Sequence, residues 1–178
     1  WTQSLPIGNG TLGAMVFGSP AHERLALNHD ELWTGRPKDT VREGAPEVFE
    51  KARSLALEGK LYEAEELIEQ DFLSVWSQAY MPLGDLELEF SLKGRVKDYR
   101  RRLDLEKAVA AVEFTCGQKK YKREYFASYP AKAIGAKLTC EGGTMDFSVS
   151  LTSKLRSNNS IDGGILYIDG ECPGENNV

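Results

Sequence analysis

Residues 110–128 read AAVEFTCGQKKYKREYFAS. Ala110, Val112, Phe114 and Cys116 recur at every second position. Gly117-Gln118 then turns the chain into a second run, in which Tyr121, Arg123, Tyr125 and Ala127 alternate with Lys120, Lys122, Glu124 and Phe126. A period of two places alternate side chains on opposite faces of an extended strand. Two such runs across a short glycine-containing turn predict an antiparallel hairpin.

The same period extends in both directions. Leu86, Leu88 and Phe90 alternate with Glu87 and Glu89, and Tyr99, Arg101, Leu103 and Leu105 share one face. Ile134, Ala136, Leu138 and Cys140 form the next strand. Glu141-Gly142-Gly143 turns into a run carrying Met145, Phe147, Val149 and Leu151, and Asp162-Gly163-Gly164 precedes a last strand at 165–168. Upstream, 12–18 and 23–28 read as two strands joined by Ser19-Pro20-Ala21-His22. Roughly ten short strands separated by turn residues predict a mainly β chain, an antiparallel sandwich or barrel with each sheet burying one face.

One region breaks the period. Pro46 suits a first helical turn, where a missing N–H costs nothing. Val48, Ala52, Leu55 and Ala56 fall on one face, and Gly59 stands where a C′ glycine would end the helix. Leu61, Ala64, Leu67 and Ile68 repeat the helical spacing. The expectation is a helical hairpin, 46–58 and 60–70, inserted between strands over about 46–71. Its charged residues read as a solvated outer surface.

Composition narrows the function. With 178 residues the chain fits one domain or part of a larger one, and 41% hydrophobic content is enough for a core. The 22 basic and 27 acidic residues, net −5, argue against nucleic acid as a partner, since such binding rests on basic patches. No apolar run approaches the 18 residues of a membrane helix. Cys116, Cys140 and Cys172 form neither a disulfide framework nor a zinc motif. They point towards a reducing compartment such as the cytoplasm, while leaving secretion or a periplasmic location open. The chain starts at Trp1 and ends in a polar 172–178 segment. It reads as a piece of a longer protein.

The densest chemistry lies in residues 5–37, LPIGNGTLGAMVFGSPAHERLALNHDELWTGRP. Gly8, Asn9, Gly10 and Gly13 spell a literal G-x-G-x-x-G. A dinucleotide site needs that string between a strand and a helix. Here the apolar 14–17 run and a Gly18-Ser19-Pro20 turn follow instead, so the glycines read as a structural loop. The kinase glycine loop fails as well, because Met15 stands where it needs valine. His22 and His29 fit no metal motif, no G-x-S-x-G elbow is present, and no cofactor or metal is expected. Asp30 and Glu31 are adjacent, whereas a glycosidase needs two carboxyls facing each other across a bond. Asn28, Asp30 and Trp33 are the candidate substrate-binding or domain-interface residues, since an indole offers an apolar face and an N–H edge. Asn9-Gly10-Thr11 and Asn158-Asn159-Ser160 match the glycosylation pattern, which carries meaning only in a secreted eukaryotic protein.

With these residues laid out, the chain resembles the N-terminal part of glycoside hydrolase family 95, the inverting α-L-fucosidases. The resemblance rests on Leu5-Pro6-Ile7-Gly8-Asn9-Gly10, Leu12 to Gly18, Leu27-Asn28, Asp30 and Leu32-Trp33, preceded by Trp1. It continues through Tyr80, Pro82-Leu83-Gly84-Asp85-Leu86, then Tyr99-Arg100-Arg101 and Leu103-Asp104-Leu105, then Tyr121, Arg123-Glu124, Phe126-Ala127-Ser128 and Pro130. These run in family order to about residue 140. The resemblance implies an incomplete β-sandwich of super-sandwich type that precedes a catalytic (α/α)6 barrel absent from this chain. It also implies that no catalytic residue is carried here, and that the partners are the parent's barrel and, through it, a fucosylated or L-galactosylated glycan. A stand-alone carbohydrate-binding sandwich is the alternative.

Overall fold

The computed structural model describes residues 2–74 and 77–174. They form a mainly β structure in which every strand pairing is antiparallel. The first strands are β1 (Leu5–Gly8), β2 (Leu12–Val16) and β3 (His22–His29). Two helices, α1 (Ala45–Leu57) and α2 (Leu61–Leu67), precede a π-helical turn at Ile68–Phe72. The chain returns as β4 (Gly84–Phe90), β5 (Val96–Asp104), β6 (Val109–Cys116), β7 (Lys119–Ser128) and β8 (Ala133–Glu141). It ends with β9 (Phe147–Thr152), β10 (Arg156–Asp162) and β11 (Ile165–Glu171).

One sheet has the order β1-β2-β3-β4-β9 and a second the order β5-β6-β7-β8, while β10 and β11 form a separate hairpin. The two larger sheets are the layers of a sandwich. Ile7, Ala14, Val16, Leu25, Leu88 and Phe90 from the first meet Ala110, Val112, Phe114, Cys116, Tyr121 and Tyr125 from the second. Each large apolar side chain so buried contributes about 1.5–3 kcal/mol. The alternation in 110–128 therefore sorts its side chains as the sequence predicts, and Phe114 stacks on Tyr121 at 4.9 Å.

Several boundaries differ from the sequence reading. Residues 5–8, which the sequence reading assigns to no strand and whose Gly8 it places in the glycine loop, are strand β1, paired with β2 so that Gly8 faces Gly13. The Asn9 side chain makes this hairpin possible. Its Oδ1 accepts the amides of Thr11 (3.1 Å) and Leu12 (2.8 Å), and its Nδ2 donates to the Ser128 carbonyl (2.9 Å) on β7. Leu105, read as the end of a strand face, lies beyond β5 and is 84% exposed. Met145 precedes β9, although it packs against the core. Among Arg100, Arg101 and Arg102, the outer two reach Glu113 on β6, at 2.9 and 3.8 Å. Cross-strand pairing thus accounts for most of that basic cluster.

In α1, Pro46 sits in the first turn, as its ring requires. The helix closes in a Schellman arrangement: Lys60 N–H donates to Leu55 O (2.9 Å), Gly59 N–H donates to Ala56 O (3.1 Å), and Gly59 has φ 81°. The helices pack on one another and fully bury only Ala52 and Ala64.

A charged pair lies in the centre of the sandwich. Glu23 of β3 and Arg123 of β7 are both almost fully buried, with Arg123 Nη1 3.5 Å from Glu23 Oε2. The Arg123 guanidinium lies over the Phe90 ring (4.6 Å) and the Phe114 ring (5.2 Å), an arrangement that favours a cation desolvated between π faces. Its Nη2 donates to the carbonyls of Ser19 (2.8 Å) and Pro20 (3.3 Å). Glu23 Oε1 accepts the amides of Gly18 (2.6 Å) and Arg24 (3.1 Å), and Oε2 accepts the Tyr125 hydroxyl (3.2 Å). Tyr99 donates to Gly18 O (2.9 Å) and Arg101 to Phe17 O (2.5 Å). The turn at 17–20 is thereby tied to the opposite sheet through four successive carbonyls. Gly18 has φ 78°, and a Cβ there would meet Arg101 Cδ at 3.1 Å and Val112 Cγ2 at 3.2 Å.

Removing one member of a buried pair strands the other charge, at about 3–5 kcal/mol. Glu23→Gln and Arg123→Met are each expected to destabilise by about that much in urea titrations. The double variant should lose clearly less than the sum of the two; strict additivity would mean the pair is not coupled.

Burial pushes the Glu23 carboxyl above its ordinary value, and the Arg123 charge, the two amides and the Tyr125 hydroxyl only partly offset this. A raised folded-state value means the folded chain holds that proton more tightly than the unfolded one. Its contribution is complete below the ordinary carboxylate range and falls as pH rises through the shifted value. The stability of the native chain relative to Glu23→Gln should therefore decline as pH rises above the ordinary carboxylate range, about pH 4. A relative stability that rises with pH above that range would contradict the assignment.

Candidate functional site

The segment that leaves β3 builds the most structured surface feature. Asn28 and His29 close the strand, and Asp30 N–H still donates to Thr11 O (3.1 Å). The chain then joins a stretch 45 or more residues away. Trp33 bridges Tyr80; Thr34 N–H donates to Ala79 O (2.9 Å) and Met81 N–H to Leu32 O (2.8 Å). The buried Thr34 returns a side-chain bond, its Oγ1 accepting Ala79 N–H at 2.9 Å. On the other side Gly35 N–H donates to Pro173 O (3.0 Å), just beyond β11. Three separate segments, 28–36, 78–81 and 172–173, are thus laced into one junction.

The junction presents an aromatic pair. Trp33 and Tyr80 meet edge to face, with centroids 5.1 Å apart and planes at 64°. Trp33 Nε1 donates to Asp30 O (2.8 Å) and the Tyr80 hydroxyl to His29 O (2.9 Å), so both rings are held by their polar ends. Trp33 is nevertheless 48% exposed. Its ring lines an open cleft of about 460 Å³ with Glu31, Arg36, Pro37, Lys38, Thr40 and Gln78.

The structure separates the three candidate residues. Trp33 lines this cleft. Asn28 sits on β3 opposite Gly13, and Asp30 takes part through its backbone carbonyl; its carboxylate lies 3.3 Å from His29 Nδ1. Neither side chain lines the cleft. Gly8 and Gly13 lie in strands and Asn9 and Gly10 in the turn between them, on the far side of β3 from β4. Gln78 and Arg36 escaped the sequence reading, and Tyr80 entered it only through the resemblance, not as a site residue. No local pattern marks Tyr80 as a partner of Trp33, because the helices intervene.

The carboxylates do not form a hydrolytic pair. Glu31 is the only one among the described residues lining the Trp33 cleft, whereas glycoside hydrolysis uses two, roughly 5–9.5 Å apart. A groove of about 340 Å³ on the outer face of β5–β8 contains Asp98, Glu113 and Glu141. There Asp98 accepts the Thr115 hydroxyl (2.8 Å), and Glu141 faces Lys120 at 3.9 Å. The Arg100 hydrogen bond holds Glu113 below its ordinary value, the reverse of what a general acid requires. Glu23 is shifted upward but is sealed in the core, where no substrate reaches it. Among the described residues no group of three His, Cys, Asp or Glu side chains could hold a metal ion.

With the sandwich, the junction and the carboxylates placed, the comparisons with known proteins complete the picture. The family described as glycosyl hydrolase family 65, N-terminal domain, matches residues 1–178. The chain belongs to this family. It is 41% identical over 160 residues to alpha-L-fucosidase 2 of Arabidopsis thaliana, covering 87% of this chain and 19% of that protein. It is 29% identical over 177 residues to a probable alpha-fucosidase A of Aspergillus niger, covering 96% of this chain and 22% of that one. A probable alpha-fucosidase A of Aspergillus oryzae is 32% identical over 143 residues. The chain spans about a fifth of the length of these relatives. The family carries the number 65 where the resemblance pointed to 95, while the relatives bear the fucosidase name the resemblance implied.

The junction is testable. Thr34→Val keeps the shape of the side chain and removes the acceptor of the Ala79 amide. The Ala79 amide is part-buried, so leaving it unpaired should cost about 1 kcal/mol, the low end of the range for a fully buried donor. Hydrogen exchange at Ala79 and Met81 should accelerate together, because they belong to one bonded pair of segments. Unchanged exchange at both would show that the Thr34 side chain does not hold the junction.

Proposed function

We propose that this chain is the non-catalytic N-terminal sandwich of an α-L-fucosidase of the family 95 kind. In this reading the parent hydrolyses terminal α-L-fucosyl or L-galactosyl linkages by single displacement with inversion. The sandwich braces the parent's helical-barrel catalytic domain, and the Trp33 junction, with Asn28 and Asp30 behind it, lies at the interface or at the mouth of the pocket. One observation carries the reading: among the described residues a single carboxylate, Glu31, lines the Trp33 cleft, while Glu23 is sealed in the core and Glu113 is paired with arginines. The bond-breaking pair then belongs to the four-fifths of the relatives' length that this chain does not match.

Assay of an aryl α-L-fucoside with this chain and with the full-length parent tests it. The parent should turn over and release β-L-fucose first, as seen by NMR of the anomeric proton, since inversion at an α-linkage gives the β-anomer. The 178-residue chain should show no turnover. Turnover by the short chain would overturn the scaffold reading.

The open cleft beside Trp33 favours a second reading, a carbohydrate-binding module. An exposed indole flanked by Glu31, Arg36 and Gln78 offers a stacking face and hydrogen-bonding groups to a sugar ring. Calorimetric titration of this chain with fucose and fucosylated glycans separates the two readings. Millimolar or tighter binding selects the module; no heat leaves the scaffold.

A further inference from the structure

The helical insertion has a composition unlike the rest of the molecule. Between Glu43 and Asp71 it carries nine acidic and three basic residues, a net of −6 against −5 for the whole chain. The remaining residues are therefore close to neutral. Within this acidic segment the apolar residues divide into two sets. Val48, Ala52, Leu55, Ala64 and Leu67 are buried or half-buried, and Phe49 meets the Phe72 ring at 5.9 Å. Leu57, Leu61 and Tyr62 flank the Gly59 turn and are 81%, 68% and 75% exposed.

An αα-hairpin that fully buries only Ala52 and Ala64 gains little from packing. Short helices in water are marginal without a tertiary partner, and ordering each residue costs backbone entropy that burial must offset. Three large apolar side chains on one turn, away from the sandwich core in a segment of net −6 whose Lys60 is paired with Glu58 (2.7 Å), have the form of an interaction tip rather than of a solvated bend. The sandwich closes its own core without this tip, so its occupant lies elsewhere.

We infer that the tip formed by Leu57, Leu61 and Tyr62 docks into an apolar, basic-rimmed surface on the downstream part of the same polypeptide. The length argument selects that occupant. The matched family is an N-terminal domain, and this chain spans about a fifth of its relatives, so most of the polypeptide follows it. A segment joined covalently has a high effective concentration and needs only a small contact to stay docked. The segment's net negative charge sets the charge of the receiving rim by complementarity. The inference rests on the scaffold reading above and names the surface that does the bracing.

Photo-crosslinking in the full-length parent tests it. A benzophenone amino acid replaces Leu57 in one variant and Leu61 in another. Both positions are exposed, so the helices fold around the probe. After irradiation, mass spectrometry should find each probe joined to a peptide beyond residue 178 of its own polypeptide. A dimer-sized product would show that a second copy covers the tip and would overturn the inference. Crosslinks confined to residues 41–74, or none, would overturn it as well. The result is independent of turnover: the expected crosslink in a parent without fucosidase activity would remove the enzymatic assignment and keep the docking.

Discussion

The sandwich depends on a single buried ion pair. Arg123 enters from one sheet and Glu23 from the other; Arg123 takes the Ser19 and Pro20 carbonyls and Glu23 the Gly18 amide of the 17–20 turn. Two aromatic rings, one from each sheet, close over the guanidinium. Desolvating two charges costs several kcal/mol each, so such a pair is a poor source of net stability. Its effect is one of register. A slip of β3 by one residue would move Glu23 to the solvent face and leave Arg123 buried without a counter-charge. Apolar residues in the same places would tolerate that slip far better.

Rigidity at the centre explains the geometry at the edge. Strand β3 carries Glu23 near its start and Asn28 and His29 at its end, so the anchored strand delivers the Trp33 segment in a defined direction. The junction is then completed by two segments that come from after the helices and from after β11. Trp33 and Tyr80 are fixed by hydrogen bonds to backbone carbonyls while much of their ring surface stays exposed. Of this pair Trp33 lines the open cleft, which among the described residues carries a single carboxylate, Glu31, rather than the opposed two that glycoside hydrolysis uses.

The helices stand in contrast to the sheets. The sandwich has a closed core around its buried ion pair, whereas the insertion buries almost nothing and concentrates the acidic residues. The same chain thus holds one part that is complete in its own packing and another whose apolar tip has found no cover within it.

Much of this was legible in the residues. The period of two from Leu86 onward marks the strands and their inner faces, since a pleated chain alternates its side chains by geometry alone. The helical insertion, with Pro46 and Gly59 at its ends, follows from equally local rules. Arg123 could even be seen in phase with Tyr121 and Tyr125, and Glu23 in phase with Leu25 and Leu27. What the pattern could not say is that these two charges meet, because they lie 100 residues apart and their pairing is set by how the sheets stack. The strand at Leu5–Gly8 escaped notice because only four residues long, with Pro6 inside it, it has no periodicity to show and exists through its pairing with β2. The links of Tyr80 to Trp33, Gln78 to Arg36 and Pro173 to Gly35 were hidden for the same reason: local sequence sets backbone preference, but contacts between distant segments belong to the packed structure.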